Sequence, residues 1–475
     1  MTRVAGAASG ARVVVVGGGL AGMAAALGAA DAGAHVTLVE KRQRLGGLTW
    51  SFKRKDLVFD NGQHVFLRCC TAYRAFLDRI GAADKVHLQQ RLDVPVLAPG
   101  RRTAHIARTA APLPSPLHLG ASLLSFGHLS LAARARLLEP VLALRKLTLE
   151  DPALDDVSFG EWLASRGQSA RAIERLWDLV VLPTVNARSA EASLALAAKV
   201  FRTGLLDTVD GADIGWAAVP LGELHGDHGM RALEAAGVEV AVGEAVHTVE
   251  TFEPFESGDA GPGDAGPLAV HTRGRRLDAD AVVVALPHDA APGVLPPGTL
   301  GDLSGLGRSP IVNVHLVLDR TVTDLPLAAA VTSPVQYVFD HTEASGIPSS
   351  SGRQCLVVSL SDATAWVGAR PDDLVRTFHA ALGELFPMAR GAALVDGVVS
   401  REHAATFRGV PGTAPLRPGP VTRTPGVFVA GAWCATGWPA TMEGAVRSGM
   451  DATAAALASL GSGEVPARHL AGASA

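Results

Sequence analysis

The chain has 475 residues, 48% of them hydrophobic, with 52 glycines, 29 prolines and a formal net charge of −4. That length allows two or three domains with a large core, and the near-neutral balance excludes the electrostatic footprint of a nucleic-acid-binding protein. The 4 cysteines, two of them adjacent (Cys69, Cys70), form neither a disulfide framework nor a zinc spacing, so no metal is expected and a reducing, cytoplasmic setting is the simplest assignment. The first ten residues read as an extension rather than a signal peptide, because they lack a long apolar core. Residues 11–47 then predict a buried strand (Val13–Val16), a glycine turn, an Ala-rich helix (Leu20–Ala32), a second strand (His35–Val39) and an acid, Glu40. Gly17, Gly19 and Gly22 have the spacing that lets a chain turn sharply, approach a pyrophosphate and pack helix on strand. The helix start, with Leu20 and Ala21, aims its amides at phosphate. Glu40 suits ribose hydroxyls and disfavours a 2′-phosphate.

Further along, FDNGQHVF places Asp60, Gly62, Gln63 and His64 together. Two readings stand side by side: a turn aligning two strands, and a segment facing a cofactor or substrate with His64 as proton donor. Within residues 112–147, Leu131–Leu147 predicts helix interrupted at Pro140, with Arg134, Arg136, Arg145 and Lys146 beside a broad apolar surface. This reads either as a helical cap or as a surface dipping into the membrane interface. Pro183 is expected to interrupt a helix, and Ser189–Glu191 to begin the next. In LHGDHGM, His225 and His228 flank Asp227, which fits a loop closing on the cofactor domain better than metal ligation.

Strands are expected within Val238–Glu250 and at Ala281–Leu286, with an exposed Gly/Pro/acid-rich loop at 252–267 between them. Ile311–Leu318, Val335–Phe339 and Cys355–Leu360 are further strand candidates. The last unit predicts strand Gly426–Ala430, loop Gly431–Pro439 and helix Ala440–Leu457. The resulting division is a dinucleotide domain in three pieces (11–85, 216–300, 401–460), a substrate domain in two (86–215, largely helical, and 301–400) and a disordered tail (461–475). Trp162, Trp177, Trp216, Trp433 and Trp438 are candidates for lining an apolar substrate channel. The paired Gly46 and Gly47 and the glycine-rich C-terminal unit favour FAD over NAD.

The same stretches resemble the flavin-containing amine oxidase and phytoene desaturase superfamily from about residue 11 to 458. VVVVGGGLAGMAAALGAADAGAHVTLVEKRQRLGG marks the superfamily. FDNGQHVF, WDLVVLPTVNARSAEAS and VFVAGAWCATGWPATMEGAVRSG are similar to its squalene-associated branch, the hydroxysqualene dehydroxylases. The resemblance implies an α/β fold: a discontinuous, glutathione-reductase-like FAD-binding Rossmann domain with an inserted α+β substrate domain.

It also implies FAD contacts from Gly17, Gly19, Leu20, Ala21, Gly22, Glu40, Lys41, Gly46, Gly47, Leu48, Gly62, Gln63, His64, Val246, Gly431, Ala432, Ala440, Thr441, Met442 and Glu443. The implied reaction is reduction of an allylic alcohol, hydroxysqualene, to squalene on the hopanoid route. A long isoprenoid substrate and upstream prenyl-synthase partners go with it, while peripheral contact with the inner face of the cytoplasmic membrane is the expectation already drawn from the apolar and basic stretch before residue 147. A carotenoid desaturase, an amine oxidase and an FAD-binding scaffold without catalysis are the alternatives. Two positions depart from the superfamily pattern: Leu48 stands where a basic residue is common, and Ala432 where an aspartate is common.

Overall fold

The computed structural model describes residues 10–252 and 267–461. The N-terminal extension, all but the end residues of the expected 252–267 loop, and the tail beyond Gly461 lie outside the described residues. Five parallel strands form the first layer, in the spatial order Glu239–Val242, His35–Glu40, Arg12–Val16, Ala281–Val284, Val427–Val429. The central strands are runs of β-branched residues because both faces of a parallel sheet are covered. Helices Leu20–Asp31 and Met442–Ser459 pack together on this sheet. At their crossing a Cβ on Gly449 would lie 2.2 Å from the Ala21 carbonyl oxygen, so only glycine permits this approach. Strand order reverses beside Arg12–Val16, which places a crevice at the C-terminal ends of the strands.

A second sheet has seven strands, ordered Leu394–Thr406, Ser309–Leu318, Gln354–Leu360, Tyr337–Asp340, Leu327–Ala330, Asp93–Leu97, Ala104–Ala107. The segment 86–215, expected to be largely helical, therefore supplies two of its strands, with Val94 and Val96 turned to the core. The expected boundary at 400 falls inside the continuous strand Leu394–Thr406, whose pairing with Ser309–Leu318 binds it to this sheet. Helix Pro371–Leu385 covers one face through Leu374, Phe378, Leu382 and Leu385. The other face meets the helices of residues 159–206, where Phe159, Trp177 and Phe201 pack ring on ring.

Two helix expectations need correction. The helix after Ser189 begins later, at Leu194, because the Ser189 amide is held by Asp178 at 2.8 Å. Pro183 does not end its helix: Asp178–Val185 continues through it. A proline leaves the carbonyl four residues earlier without its amide donor. Here that carbonyl, on Leu179, accepts from the Tyr337 hydroxyl at 2.7 Å, so a side chain from the sheet replaces the missing bond. Pro140 sits in the first turn of helix Leu138–Lys146, where no amide donor is needed. Tyr337→Phe is expected to leave the Leu179 carbonyl unpaired and cost about 1–2 kcal/mol in urea unfolding; an unchanged midpoint shows that the hydroxyl does not repair this helix.

Candidate functional site

The glycine turn is built on backbone contacts. Gly17 leaves its strand at φ +108°, and a Cβ on Gly22 would lie 1.8 Å from the Gly17 carbonyl oxygen. Gly18 donates its amide to Glu40 Oε2 at 2.7 Å, and the Arg42 amide meets Oε1 at 2.8 Å. The Glu40 carboxylate thus locks the turn to the second strand, a task beyond the ribose contact expected of it; each oxygen keeps a further lone pair. Gly46 donates to the Gly18 carbonyl at 2.9 Å, which lays Gly46 and Gly47 against the turn as one backbone shelf. Helix Leu20–Asp31 opens onto this shelf with no side-chain cap and no acid in its first turn. Uncapped amides of Leu20, Ala21 and Gly22 are donors suited to a pyrophosphate, so these residues fit a dinucleotide.

Beyond Glu40 the loop that leads into strand Val246–Thr251 is fastened by Gly243 N–H to Arg42 O (2.9 Å) and Glu244 N–H to Glu40 O (3.0 Å). Lys41 is exposed and lines a groove of about 590 Å³ here, with Glu244, Arg273 and Arg275. The expected residues Glu40, Lys41 and Val246 are thereby brought to one edge.

The far wall is organised by a residue that sequence reasoning missed. The buried Arg417 donates to the carbonyls of Trp433 (3.2 Å), Ala432 (3.4 Å), Cys434 (2.5 Å) and Trp438 (2.8 Å), shaping the loop that holds Gly431 and Ala432. Burial lowers its pKa to about 10. No local pattern signals it, since its partners are carbonyls rather than an acid. The Gly431 amide is taken by Ser448 Oγ at 2.8 Å, and Thr441 caps helix Met442–Ser459 through Gly444 N–H at 3.1 Å. Ala440 and Met442 are partly buried at this helix start.

The Glu443 side chain is engaged by the start of a neighbouring helix. Its buried carboxylate accepts from the Ala72 (3.2 Å) and Tyr73 (2.7 Å) amides and from Arg447 (2.6 Å). It caps helix Thr71–Arg79, whose own N-cap residue, Cys70, provides no side-chain acceptor.

The segment Asp60–His64 is clamped by the seven-stranded sheet. Asn313 Nδ2 donates to Asn61 O (3.3 Å) while its Oδ1 accepts from Gln63 N–H (3.4 Å), and Ser400 Oγ donates to Asn61 O (2.7 Å). Asn61 in turn donates to Leu48 O (2.7 Å) and Glu402 (2.9 Å), which fixes Leu48 beside it. Asp60 accepts from Ser51 Oγ (2.5 Å) and Leu221 N–H (3.0 Å), and burial raises its pKa. The segment is therefore a turn that ties the region of the glycine turn to the seven-stranded sheet, as the first of its two readings expects.

His64 Nδ1 lies 2.9 Å from the Gly62 carbonyl oxygen, which can only accept, so the proton resides on Nδ1 and Nε2 presents a lone pair. Burial lowers its pKa. In this state His64 accepts at Nε2, so the proton-donor role expected of it requires a second proton there.

His225 lies in a π-helical turn (Gly222–Asp227) rather than a loop, with Nε2 2.8 Å from the Tyr73 hydroxyl. His228 starts the following helix, His228–Ala235. His315 is fully buried against the Phe59 ring, and neither ring nitrogen finds a well-formed hydrogen bond. Burial lowers the pKa of both His225 and His315 to about 3. In the unfolded chain they titrate near 6.5, so below that pH the unfolded state binds protons that the fold refuses, and stability falls from about pH 6.5 towards pH 3. At pH 5 each contributes a loss on the order of 2 kcal/mol. His315→Leu is expected to narrow the stability gap between pH 8 and pH 5 by about that amount in urea titrations; an unaltered gap shows that His315 is not held neutral.

The sequence profile of the flavin-containing amine oxidoreductases matches residues 20–457. Hydroxysqualene dehydroxylase of Rhodopseudomonas palustris is 28% identical over 94% of this chain and 98% of its own length. Zeta-carotene desaturase of Zea mays is 25% identical over 92% of this chain and 82% of its own length. Cyclohexylamine oxidase from Brevibacterium oxydans superposes with a TM-score of 0.68 at 19% identity, over 95% of this chain and all of that one, and so shares the fold. With a profile match over nearly its whole length and a backbone shelf that fits a dinucleotide, the chain belongs to the flavin-containing amine oxidoreductase family and takes FAD as its cofactor.

Proposed function

We propose that the protein is a reductive dehydroxylase that converts hydroxysqualene to squalene. The observation that carries this reading is the nearly end-to-end match to hydroxysqualene dehydroxylases, which extends over almost the full length of both chains. In the balanced reaction the alcohol's C–O bond breaks and a C–H bond forms, with a hydride from reduced FAD and a proton that leaves with the hydroxyl as water.

The chain's own residues have three tasks in this scheme. The shelf of Gly17–Gly22 with Gly46 and Gly47 holds the cofactor's phosphates, and Glu40 its ribose. The clamp of Asn313, Ser400 and Glu402 on residues 61–63 fixes the segment that carries His64. His64 can deliver a proton only after Nε2 is protonated, which burial restricts to pH values below the usual histidine range. Leu48 and Ala432, the two departures, are held in place through their backbones, by Asn61 and Arg417 respectively, so the local frame does not depend on the side chains usual there.

The zeta-carotene desaturase match favours a second reading, polyene desaturation with oxidised FAD. An amine oxidase or a non-catalytic scaffold has less support, since the individual amine oxidases it superposes on are only 19% identical.

Anaerobic incubation of the reduced, FAD-loaded protein with hydroxysqualene is expected to yield squalene with one flavin oxidised per product. Absence of squalene from fully loaded protein overturns the reading, and conversion of phytoene with flavin reduction replaces it with the second. In the same assay the rate is expected to rise as pH falls below about 6.5. His64→Phe should remove that acid limb and slow turnover about 100-fold or more; a retained limb assigns the proton to another group.

A further inference from the structure

We infer that the outward face of residues 113–146 is a docking surface for an anionic lipid bilayer. Of the twelve large apolar side chains exposed among the described residues, six are leucines of this short stretch: Leu113, Leu117, Leu124, Leu131, Leu138 and Leu142. Leu131 is 78% exposed and Leu124 67%. A surface helix in water normally turns polar residues outward. In helix Leu138–Lys146, Pro140 and Leu144 face the core, yet the outward positions 138 and 142 are leucine as well. Single exposed leucines need no explanation, whereas a cluster of them marks an interaction site.

The pieces form one surface because arginines tie them together. Arg134 donates to Leu129 O (3.0 Å) and Leu124 O (2.9 Å), joining helix Leu131–Ala135 to helix Gly120–Ser125. Arg145 donates to Ser115 O (3.3 Å), joining helix Leu138–Lys146 to the stretch before it.

The charge around these leucines identifies the occupant. From Leu113 to Lys146 the chain carries four Arg or Lys and a single acid, Glu139, although its overall charge is −4. Glu139 is itself paired with Arg166 at 2.7 Å. Arg136 and Lys146 are exposed and have no side-chain partner among the described residues. Leucines that enter the acyl region beside basic side chains that reach headgroup phosphates are the pattern of an interfacial surface. Among the described residues no helix is long and apolar enough to cross a membrane, so contact of this kind lies on the bilayer. The surface goes beyond the proposed reaction and does not depend on it.

Flotation of the full-length, FAD-loaded protein with vesicles tests it without reading turnover. The protein is expected to float with phosphatidylcholine mixed with phosphatidylglycerol, and to do so less as salt is raised. Combined Leu124→Ser, Leu131→Ser and Leu138→Ser should weaken vesicle binding at least about 100-fold. Arg136→Gln with Lys146→Gln should weaken it about 25-fold at low salt, from about fivefold per basic residue. Both variants should keep the flavin spectrum and melting temperature, since the altered side chains are exposed.

The assignment is overturned if the loaded protein stays in the soluble fraction with anionic vesicles, or if the leucine variant floats as the parent does. Equal binding to phosphatidylcholine alone without salt dependence overturns the anionic occupant. A dimer that the leucine variant dissolves, without vesicle binding, assigns the face to a second copy instead.

Discussion

The structure depends on the close approach of backbone to backbone around the first strand's glycine turn. Gly22 seats its helix on the Gly17 carbonyl, and Gly449 brings the C-terminal helix onto the Ala21 carbonyl. A side chain at either place would separate elements by more than a packed interior tolerates. Because these contacts are made, segments more than four hundred residues apart share one crevice. Thr453 adds a bond from its hydroxyl to Ala25 O at 3.0 Å along the same helix pair. The Glu40 carboxylate then fixes the turn against the neighbouring strand by accepting two amides.

Around this frame, charged side chains act mostly on the backbone. Glu443 satisfies two amides at a helix start, and Arg417 gathers four carbonyls of one loop. Asp213, fully buried, holds Arg68 and Arg108 and accepts the Leu92 amide at 2.7 Å. Buried ionic groups persist only when they find partners; Glu443 and Arg417 meet that demand largely with main-chain groups, Asp213 with two arginines and one amide. The loops of the cofactor crevice are therefore held by the protein's own hydrogen bonds, which favours binding by limiting the ordering it must supply.

The two domains meet through polar side chains of the seven-stranded sheet. Asn313, Ser400 and Glu402 reach the Asp60–His64 segment, so the seven-stranded sheet sets the position of a loop that follows the glycine turn in sequence. The same segment is tied to Leu48 and Trp50 through Asn61. Movement of one domain relative to the other would have to break this network, which gives the site a single well-defined geometry.

Local chemistry made much of this legible in the residues alone. The Val13–Val16 run, the glycine spacing and Glu40 specify strand, turn, helix and acid within about thirty residues, and each rests on a local cause: β-branched burial, backbone freedom, or the hydrogen-bonding capacity of a carboxylate. The strands Ser309–Leu318 and Gln354–Leu360 were readable for the same reason. What only the tertiary structure decided is where long side chains find partners. Tyr337 rescues a helix 158 residues away, Arg417 organises a loop through carbonyls, and Glu443 caps the start of a helix 370 residues before it. The strand Asp93–Leu97 joins a sheet completed some three hundred residues later, beyond any periodicity a window can detect. Periodicity and spacing report what a residue does to its own backbone; hydrogen bonds between distant segments depend on which surfaces folding brings together, and no local pattern encodes that.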